Sequence, residues 1–114
     1  MAKLDERRVY KRFDINQAIT LTFPKENYIN AVGINISKTG LLCKTDIFLD
    51  SYTRVFLMLS IPIGNDNKSF SCEAIVIWCQ KEDEEYNAGL QFVELFDEQK
   101  EIIQNYINEL ELNE

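Results

Sequence analysis

Hydrophobic and polar side chains alternate along most of the chain between residues 16 and 95. A period of two places successive side chains on opposite faces of an extended backbone, so it predicts β-strands. Turn-forming stretches such as GNDNKS separate about six of these segments. One segment, FSCEAIVIWCQ, is apolar on both faces from Ala74 to Cys79, which predicts a central and well-covered strand.

The segment YINAVGINIS is followed by a turn and carries the polar residues of greatest interest. Its alternation groups three apolar residues on one face, namely Val32, Ile34 and Ile36. Asn35 then lies on the opposite face and is directed away from this apolar set. Ser37 follows at the strand end, and Gly40 permits a positive φ or a close backbone approach. We expect Asn35, Ser37 and Gly40 to form a polar lip on the outside of the sheet.

The hydrophobic period changes to three and four near the C-terminus. Asp97 is the predicted N-cap, and Glu98 and Glu101 follow near the positive end of the helix dipole. One apolar stripe contains Ile102, Ile103, Tyr106, Ile107 and Leu110. The pattern predicts an amphipathic helix that packs on its own sheet, and packing on a partner is the alternative.

These elements together predict an all-β fold. Six short strands followed by one helix suggest a small antiparallel β-barrel at residues 14–95, covered by a C-terminal helix at residues 97–112. The chain has 114 residues, 46% of them hydrophobic, which fits one domain. Residues 1–13 hold few apolar anchors, and we expect them to form a flexible basic segment.

The absence of histidine and the placement of cysteine limit the chemistry. A chain without histidine lacks the usual general base and the usual zinc ligand, so we expect no catalytic residues, no metal site and no enzyme. Cys43, Cys72 and Cys79 lie in apolar runs without Cys-x-x-Cys spacing, which indicates buried, reduced thiols. With no signal peptide or membrane span in the sequence, we expect a cytoplasmic protein that does not insert into membranes.

The charge distribution is uneven. The chain has a net charge of -7, yet its first twelve residues contain five cations and only two anions. The acidic remainder argues against DNA or RNA as partners. Within the basic segment, Arg8 and Arg12 form an R-x-x-x-R pattern that follows Arg7. Guanidinium groups pair bidentately with phosphate or with the O6/N7 edge of guanine, so a small anionic ligand fits this segment.

The order of these motifs resembles the PilZ domain family, the bacterial receptors for cyclic di-GMP. RRVYKR is similar to the family's R-x-x-x-R motif, and NISKTG is similar to its [D/N]-x-S-x-x-G motif. CEAIVIWC, AGLQFVEL and the closing helix resemble the end of the family's barrel. The resemblance implies a binding module for second-messenger signalling, with cyclic di-GMP as its ligand and no cofactor.

The resemblance also implies a set of ligand-binding residues. They are Arg7, Arg8, Arg12, Asn35, Ser37, Gly40 and Trp78. Arg8 and Arg12 would contact guanine and phosphate, and Arg7 would serve a second ligand molecule or an outer phosphate. Trp78 would stack on a base, although a tryptophan within AIVIWC is also consistent with core packing. Tyr10 and Lys11 are assigned no direct contact.

The mechanism we expect is an ordering of the arginine segment on ligand binding. The ligand would clamp the two motif arginines against the polar lip, and the segment would then present a fixed surface to a downstream protein partner. Self-association into a homodimer is also left open. The alternative is a PilZ-like protein-interaction barrel that does not bind nucleotide.

Overall fold

The computed structural model describes residues 10–23 and 27–113. Its elements are β1 (Phe13–Thr22), β2 (Tyr28–Ile36), β3 (Gly40–Thr45), β4 (Arg54–Ile63), β5 (Asp66–Glu82), β6 (Glu85–Val93) and α1 (Asp97–Leu112). Neighbouring strands pair antiparallel, and the sheet closes into a barrel in the order β1-β2-β3-β6-β5-β4. The prediction of a small antiparallel barrel with a C-terminal helix is therefore confirmed.

The barrel interior is filled by alternate side chains of each strand. On β4 the alternation of the sequence places Val55, Leu57, Leu59 and Ile61 on one face, and all four are buried. The helix α1 adds Ile102, Ile103, Tyr106 and Ile107 to the same core. Its apolar stripe thus packs on the barrel of its own chain, because burying that stripe removes the largest apolar surface that the helix offers.

Register shifts in β1 and β2 change which side chains face inward. The β1–β2 register shifts between Asp14 and Gln17, and the β2–β3 register shifts between Gly33 and Asn35. In β2, Ala31 is buried whereas Val32 is 40% exposed, so the predicted grouping of Val32 with Ile36 on one face is wrong. The bulge adds one residue and inverts the alternation. Both Asn35 and Val32 consequently lie on the outer side of the barrel.

A third bulge lies in β5. Its register with β6 shifts between Val76 and Trp78, so that Ile77 and Trp78 follow one another on the outside of the barrel. Ile77 and Trp78 are about as exposed as Val32, which shows that this part of β5 is not well covered, contrary to the expectation from its composition. The continuous apolar run of β5 therefore contributes Ala74 and Val76 to the core, and Ile77 and Trp78 to the outer surface.

The N-cap of the helix is Phe96, one residue before the predicted N-cap Asp97. Phe96 occupies the N-cap position with extended φ and ψ, and Asp97 is already in the first turn. The Phe96 backbone N–H donates to Gln99 Oε1 at 2.7 Å, and Gln99 Nε2 donates to the Ser71 carbonyl oxygen at 2.7 Å. Gln99 therefore caps the helix, which was predicted of Asp97, and it also ties the first turn of the helix to β5.

The thiols of Cys43 and Cys72 face the core. Burial raises the pKa of Cys43 to about 12, with a further increase from Cys79, and burial also raises the pKa of Cys72 to about 12. Because both folded-state pKa values lie above the ordinary value of 9.0, the folded chain retains protons that the unfolded chain releases between these two pH values. We therefore expect the free energy of unfolding to fall as pH rises from about 9 toward 12.

Urea titrations at a series of alkaline pH values measure this effect. Double replacement of Cys43 and Cys72 by alanine is the matched comparison, since it removes both titrating groups. A slope of stability against pH that is the same in the wild type and the double variant would contradict the assignment.

The described residues were also compared with the requirements of a membrane-spanning helix and of a metal site. Within residues 10–23 and 27–113, no helix combines the length and apolar character needed to cross a bilayer. Over the same part of the chain, histidine, cysteine and acidic side chains form no group of three or more that could hold a metal ion.

Candidate functional site

A cleft of about 490 Å³ lies on the outer wall of the barrel, beside β3, β6 and β5. Four of the residues predicted from the sequence line it, namely Arg12, Ser37, Gly40 and Trp78. They come from segments that are distant in sequence, and the antiparallel pairing of β3 with β6 and of β6 with β5 brings them to one place.

Asn35 lies at the rim of this cleft through its contact with Arg12. The Arg12 Nη1 group donates a hydrogen bond to Asn35 Oδ1 at 3.0 Å. The strand register explains the contact, because Asp14 of β1 is paired with Asn35 of β2 and Arg12 directly precedes β1. The bond positions the guanidinium at the edge of the cleft.

Arg7 and Arg8 lie outside the described residues. Their predicted contacts with the ligand therefore stay predictions, and so does the expected flexibility of the segment before Tyr10.

Ser37 shapes the turn that forms one side of the cleft. Its backbone N–H donates to the Gly40 carbonyl oxygen at 2.9 Å, and its Oγ accepts a hydrogen bond from the Thr39 backbone N–H at 3.3 Å. The Ser37 side chain is only 1% exposed. A hydroxyl that accepts from the backbone two residues later stabilises a turn, so Ser37 fixes the shape of the β2–β3 hairpin here.

Gly40 is required by the close approach of two backbones. A Cβ atom at this position would collide with the Leu90 carbonyl oxygen of β6. Gly40 is paired with Gln91 across the β3–β6 ladder, and both residues line the cleft. The glycine of the N-x-S-x-x-G pattern therefore lets β3 lie against β6 at the floor of the cleft.

The Trp78 indole lies against Gly89, its partner across the β5–β6 ladder. A Cβ atom on Gly89 would come within 2.8 Å of Trp78 Cε2, so only glycine leaves room for the ring. Trp78 is 37% exposed and lines the cleft, which excludes the core position that its apolar neighbours suggested. Gly89 was not among the predicted site residues, although a glycine inside an apolar strand is a signal of such a close approach.

Tyr10 is a second residue that the sequence analysis did not assign to the site. It lines the cleft, and Lys38 Nζ lies 5.8 Å from the centroid of its ring. Lys11, by contrast, is directed toward Phe13, with Nζ at 5.3 Å from that ring centroid. Alternate residues of the segment thus face different sides, and Tyr10 and Arg12 face the cleft together.

The electrostatic character of the cleft follows from its lining. Among the described residues that line it, Arg12 alone carries a formal charge at neutral pH. One cation, one exposed indole and one tyrosine ring surround a floor of backbone and small residues. Such a surface can hold a compact anion that also presents a flat ring system.

A larger cavity of about 700 Å³ lies next to the cleft, between the β2–β3 hairpin and α1. Its charged lining residues are Lys38, Lys100, Glu94 and Glu101, so opposite charges balance within it. Neither Arg12 nor Trp78 lines this cavity. We therefore place the candidate site in the smaller cleft, where the predicted residues meet.

Comparison with known proteins agrees with the fold. The chain resembles the inhibitor of motility (MotI/DgrA) of Bacillus subtilis with 20% identity and a TM-score of 0.81, covering 95% of this chain and 52% of the other. It resembles the PilZ domain of YcgR from Escherichia coli, described with c-di-GMP, with 15% identity and a TM-score of 0.73, covering 94% and 93%.

A third similar structure is the MrkH–c-di-GMP complex of K. pneumonia, with 16% identity and a TM-score of 0.74. The match covers 94% of this chain and 52% of MrkH, so the chain spans about half the length of MrkH and of MotI/DgrA. No curated protein matches the sequence. The model of the PilZ domain matches residues 6–109, and the chain therefore belongs to the PilZ domain family.

Proposed function

We propose that this chain is a cyclic di-GMP receptor that binds its ligand in the cleft beside β3, β6 and β5 and transmits the signal to a protein partner. The observation that carries the proposal is the meeting of Arg12, Gly40 and Trp78 in one cleft, with Arg12 bonded to Asn35. Membership of the PilZ family supports it, as do two similar structures that are described with c-di-GMP.

Arg12 supplies the charge that a cyclic dinucleotide requires. Cyclic di-GMP has two phosphate groups and two guanine bases, and a guanidinium can pair with either kind of group through parallel N–H donors. Because Asn35 holds Nη1 at the rim, the guanidinium is already oriented when the ligand arrives. Preorganisation of this kind lowers the entropy cost of binding.

Trp78 supplies a surface for the base. Its ring packs against Gly89, and the residue is partly exposed and lines the cleft. Stacking of a base on an aromatic side chain contributes about 1–3 kcal/mol in proteins that bind single-stranded nucleic acid. We propose that guanine stacks here while the backbone around Gly40 and Gln91 supports its edge.

The arginines before Tyr10 complete the site in our proposal. Arg8 contacts guanine or phosphate together with Arg12, and Arg7 serves an outer phosphate or a second ligand molecule. Ligand binding would order this segment, and the ordered segment would form a surface to which a partner protein binds. No step of this mechanism requires catalysis, which is consistent with a binding module.

Titration calorimetry with cyclic di-GMP tests the receptor function, and the fluorescence of Trp78 offers a second readout because it is the only tryptophan. We expect heat release together with a change in Trp78 emission. Cyclic di-AMP is the matched ligand, since it keeps both phosphates but lacks the guanine O6 acceptor. No heat with cyclic di-GMP, or equal affinity for the two dinucleotides, would overturn the proposal.

Replacing Arg12 by alanine is expected to weaken cyclic di-GMP binding by roughly 5- to 150-fold. This range corresponds to the loss of one bidentate base contact of about 1–3 kcal/mol. Lys11→Ala is the matched control. This substitution removes the same charge from the adjacent position, but the Lys11 side chain is directed toward Phe13. Equal losses in the two variants would indicate a general charge effect and would contradict a specific role of Arg12.

A further inference from the structure

Lys38 lies in the turn of the β2–β3 hairpin, directly beside the cleft. Its two chain neighbours, Ser37 and Thr39, both line the cleft. Lys38 itself is exposed and lines the adjoining cavity. The N-x-S-x-x-G pattern leaves this position unspecified, and no ligand contact was predicted for it.

The turn that carries Lys38 is held by two hydrogen bonds. The Ser37 backbone N–H donates to the Gly40 carbonyl oxygen at 2.9 Å, and the Thr39 backbone N–H donates to Ser37 Oγ at 3.3 Å. These bonds fix the backbone on both sides of Lys38. The flexible stem of the lysine can then move the ammonium group while the turn keeps its place at the edge of the cleft.

The ammonium group of Lys38 contacts the aromatic ring of Tyr10. Lys38 Nζ lies 5.8 Å from the ring centroid, which is within the range of a cation–π interaction. Tyr10 is 41% exposed and lines both the cleft and the cavity, so it belongs to the boundary between them. The contact therefore places a positive charge at this boundary.

Lys38 is available to an anionic ligand, because no carboxylate of residues 10–23 and 27–113 forms an ion pair with it. Lys44 on β3, by contrast, lies 4.0 Å from a carboxylate oxygen of Glu82 and equally far from one of Glu85. A hydrogen bond between an ammonium group and a phosphate is stronger than a cation–π contact at an exposed site. A phosphate can therefore replace the Tyr10 ring as the partner of Lys38.

We propose that Lys38 binds one phosphate of the cyclic dinucleotide, an inference that rests on the proposed receptor function. The ligand has two phosphates, whereas Arg12 is the one formally charged residue among the described residues that line the cleft. As the ligand enters, one phosphate reaches the boundary at Tyr10, and Lys38 Nζ moves from the ring to donate to a phosphate oxygen. Lys38 acts in addition to Arg7 and Arg8, which lie outside the described residues.

The other charges of the cavity restrict where this phosphate can lie. Lys100 and Glu101 belong to α1, opposite the hairpin, and Glu94 lies between β6 and α1. Two carboxylates thus stand against one ammonium group on that side, whereas the hairpin contributes Lys38 alone. Because like charges repel, the phosphate is directed to the hairpin side of the cavity, next to Lys38.

Titration calorimetry of the full chain with cyclic di-GMP compares the wild type with Lys38→Gln. We expect the substitution to weaken binding by about 10-fold, the loss of one charge-assisted hydrogen bond. Lys100→Gln is the matched control, since it removes the same charge from the opposite side of the same cavity. It should bind nearly as the wild type does. Equal losses in the two variants would indicate a general charge effect and would overturn the proposal.

Two further measurements separate a direct phosphate contact from support of the Tyr10 ring. The two phosphorus nuclei of free cyclic di-GMP are equivalent by symmetry, and we expect Lys38→Gln to shift one ³¹P resonance of the bound ligand more than the other. The loss caused by Lys38→Gln should also persist in a Tyr10→Leu background. If it disappears there, Lys38 acts only by holding the ring, and the direct contact is refuted.

The outcomes distinguish this proposal from the receptor function on which it rests. A wild type that does not bind cyclic di-GMP overturns both. A wild type that binds, together with a Lys38→Gln variant of unchanged affinity, overturns the role of Lys38 alone.

Discussion

Gly40→Ala is expected to destabilise the barrel by about 1–3 kcal/mol, the usual cost of forcing an extra carbon into a packed site. The added Cβ would collide with the Leu90 carbonyl oxygen, which belongs to the backbone of β6 and cannot rotate away. The β3–β6 ladder must therefore separate where Gly40 faces Gln91. Because both residues line the cleft, we expect cyclic di-GMP binding to weaken as well.

Urea denaturation compares Gly40→Ala with Gly33→Ala. Both substitutions add one methyl group to a strand glycine whose φ lies outside the left-handed region. A Cβ at Gly33 would meet the terminal Cδ1 of Ile15 at 2.9 Å, and that side chain can change its rotamer at small cost. A loss at Gly33 equal to or larger than the loss at Gly40 would refute the backbone collision.

Phe70→Ala is expected to cost about 3–5 kcal/mol of the free energy of unfolding, the range for a large-to-small substitution at a buried aromatic residue. Phe70 is 1% exposed, and its ring packs edge-on against Phe92 at a centroid distance of 6.3 Å. Since small domains are stable by about 5–15 kcal/mol in total, the variant should be largely unfolded in moderate urea.

Phe96→Ala is the control for this prediction. The Phe96 ring is 74% exposed, and the cap interaction at this position uses the backbone N–H, which alanine retains. We expect a change within about 0.5 kcal/mol, as for most surface substitutions. Chemical denaturation followed by circular dichroism measures both variants, and similar losses at Phe70 and Phe96 would contradict the packing of Phe70 in the core.

The barrel and the helix were predictable from the sequence. Alternation in a strand and a helical period in a helix both mark which side chains face the core. In β4 the alternation is unbroken, and the inward residues from Val55 to Ile61 are those expected. In β2 the alternation fails because the bulge after Gly33 adds a residue to one strand only. A bulge depends on how two strands pair, so the pattern of one strand carries little sign of it.

The candidate site was predictable where its residues belong to a local motif. The R-x-x-x-R and N-x-S-x-x-G patterns identified Arg12, Asn35 and Gly40, which the structure brings together. The contact between Trp78 and Gly89 was not predictable, because it requires the bulge in β5 to turn Trp78 outward over the neighbouring strand. Ser37 shows a third outcome, since its motif position is as expected but its hydroxyl is buried within the turn.

The pairing of β1 with β4 closes the barrel through only four pairs of residues. Between β1 and β4 it runs only from Ile19 opposite Leu59 to Thr22 opposite Phe56, and it joins strands far apart in sequence. Closing such a long loop is entropically costly, so local opening and hydrogen exchange should begin at this seam.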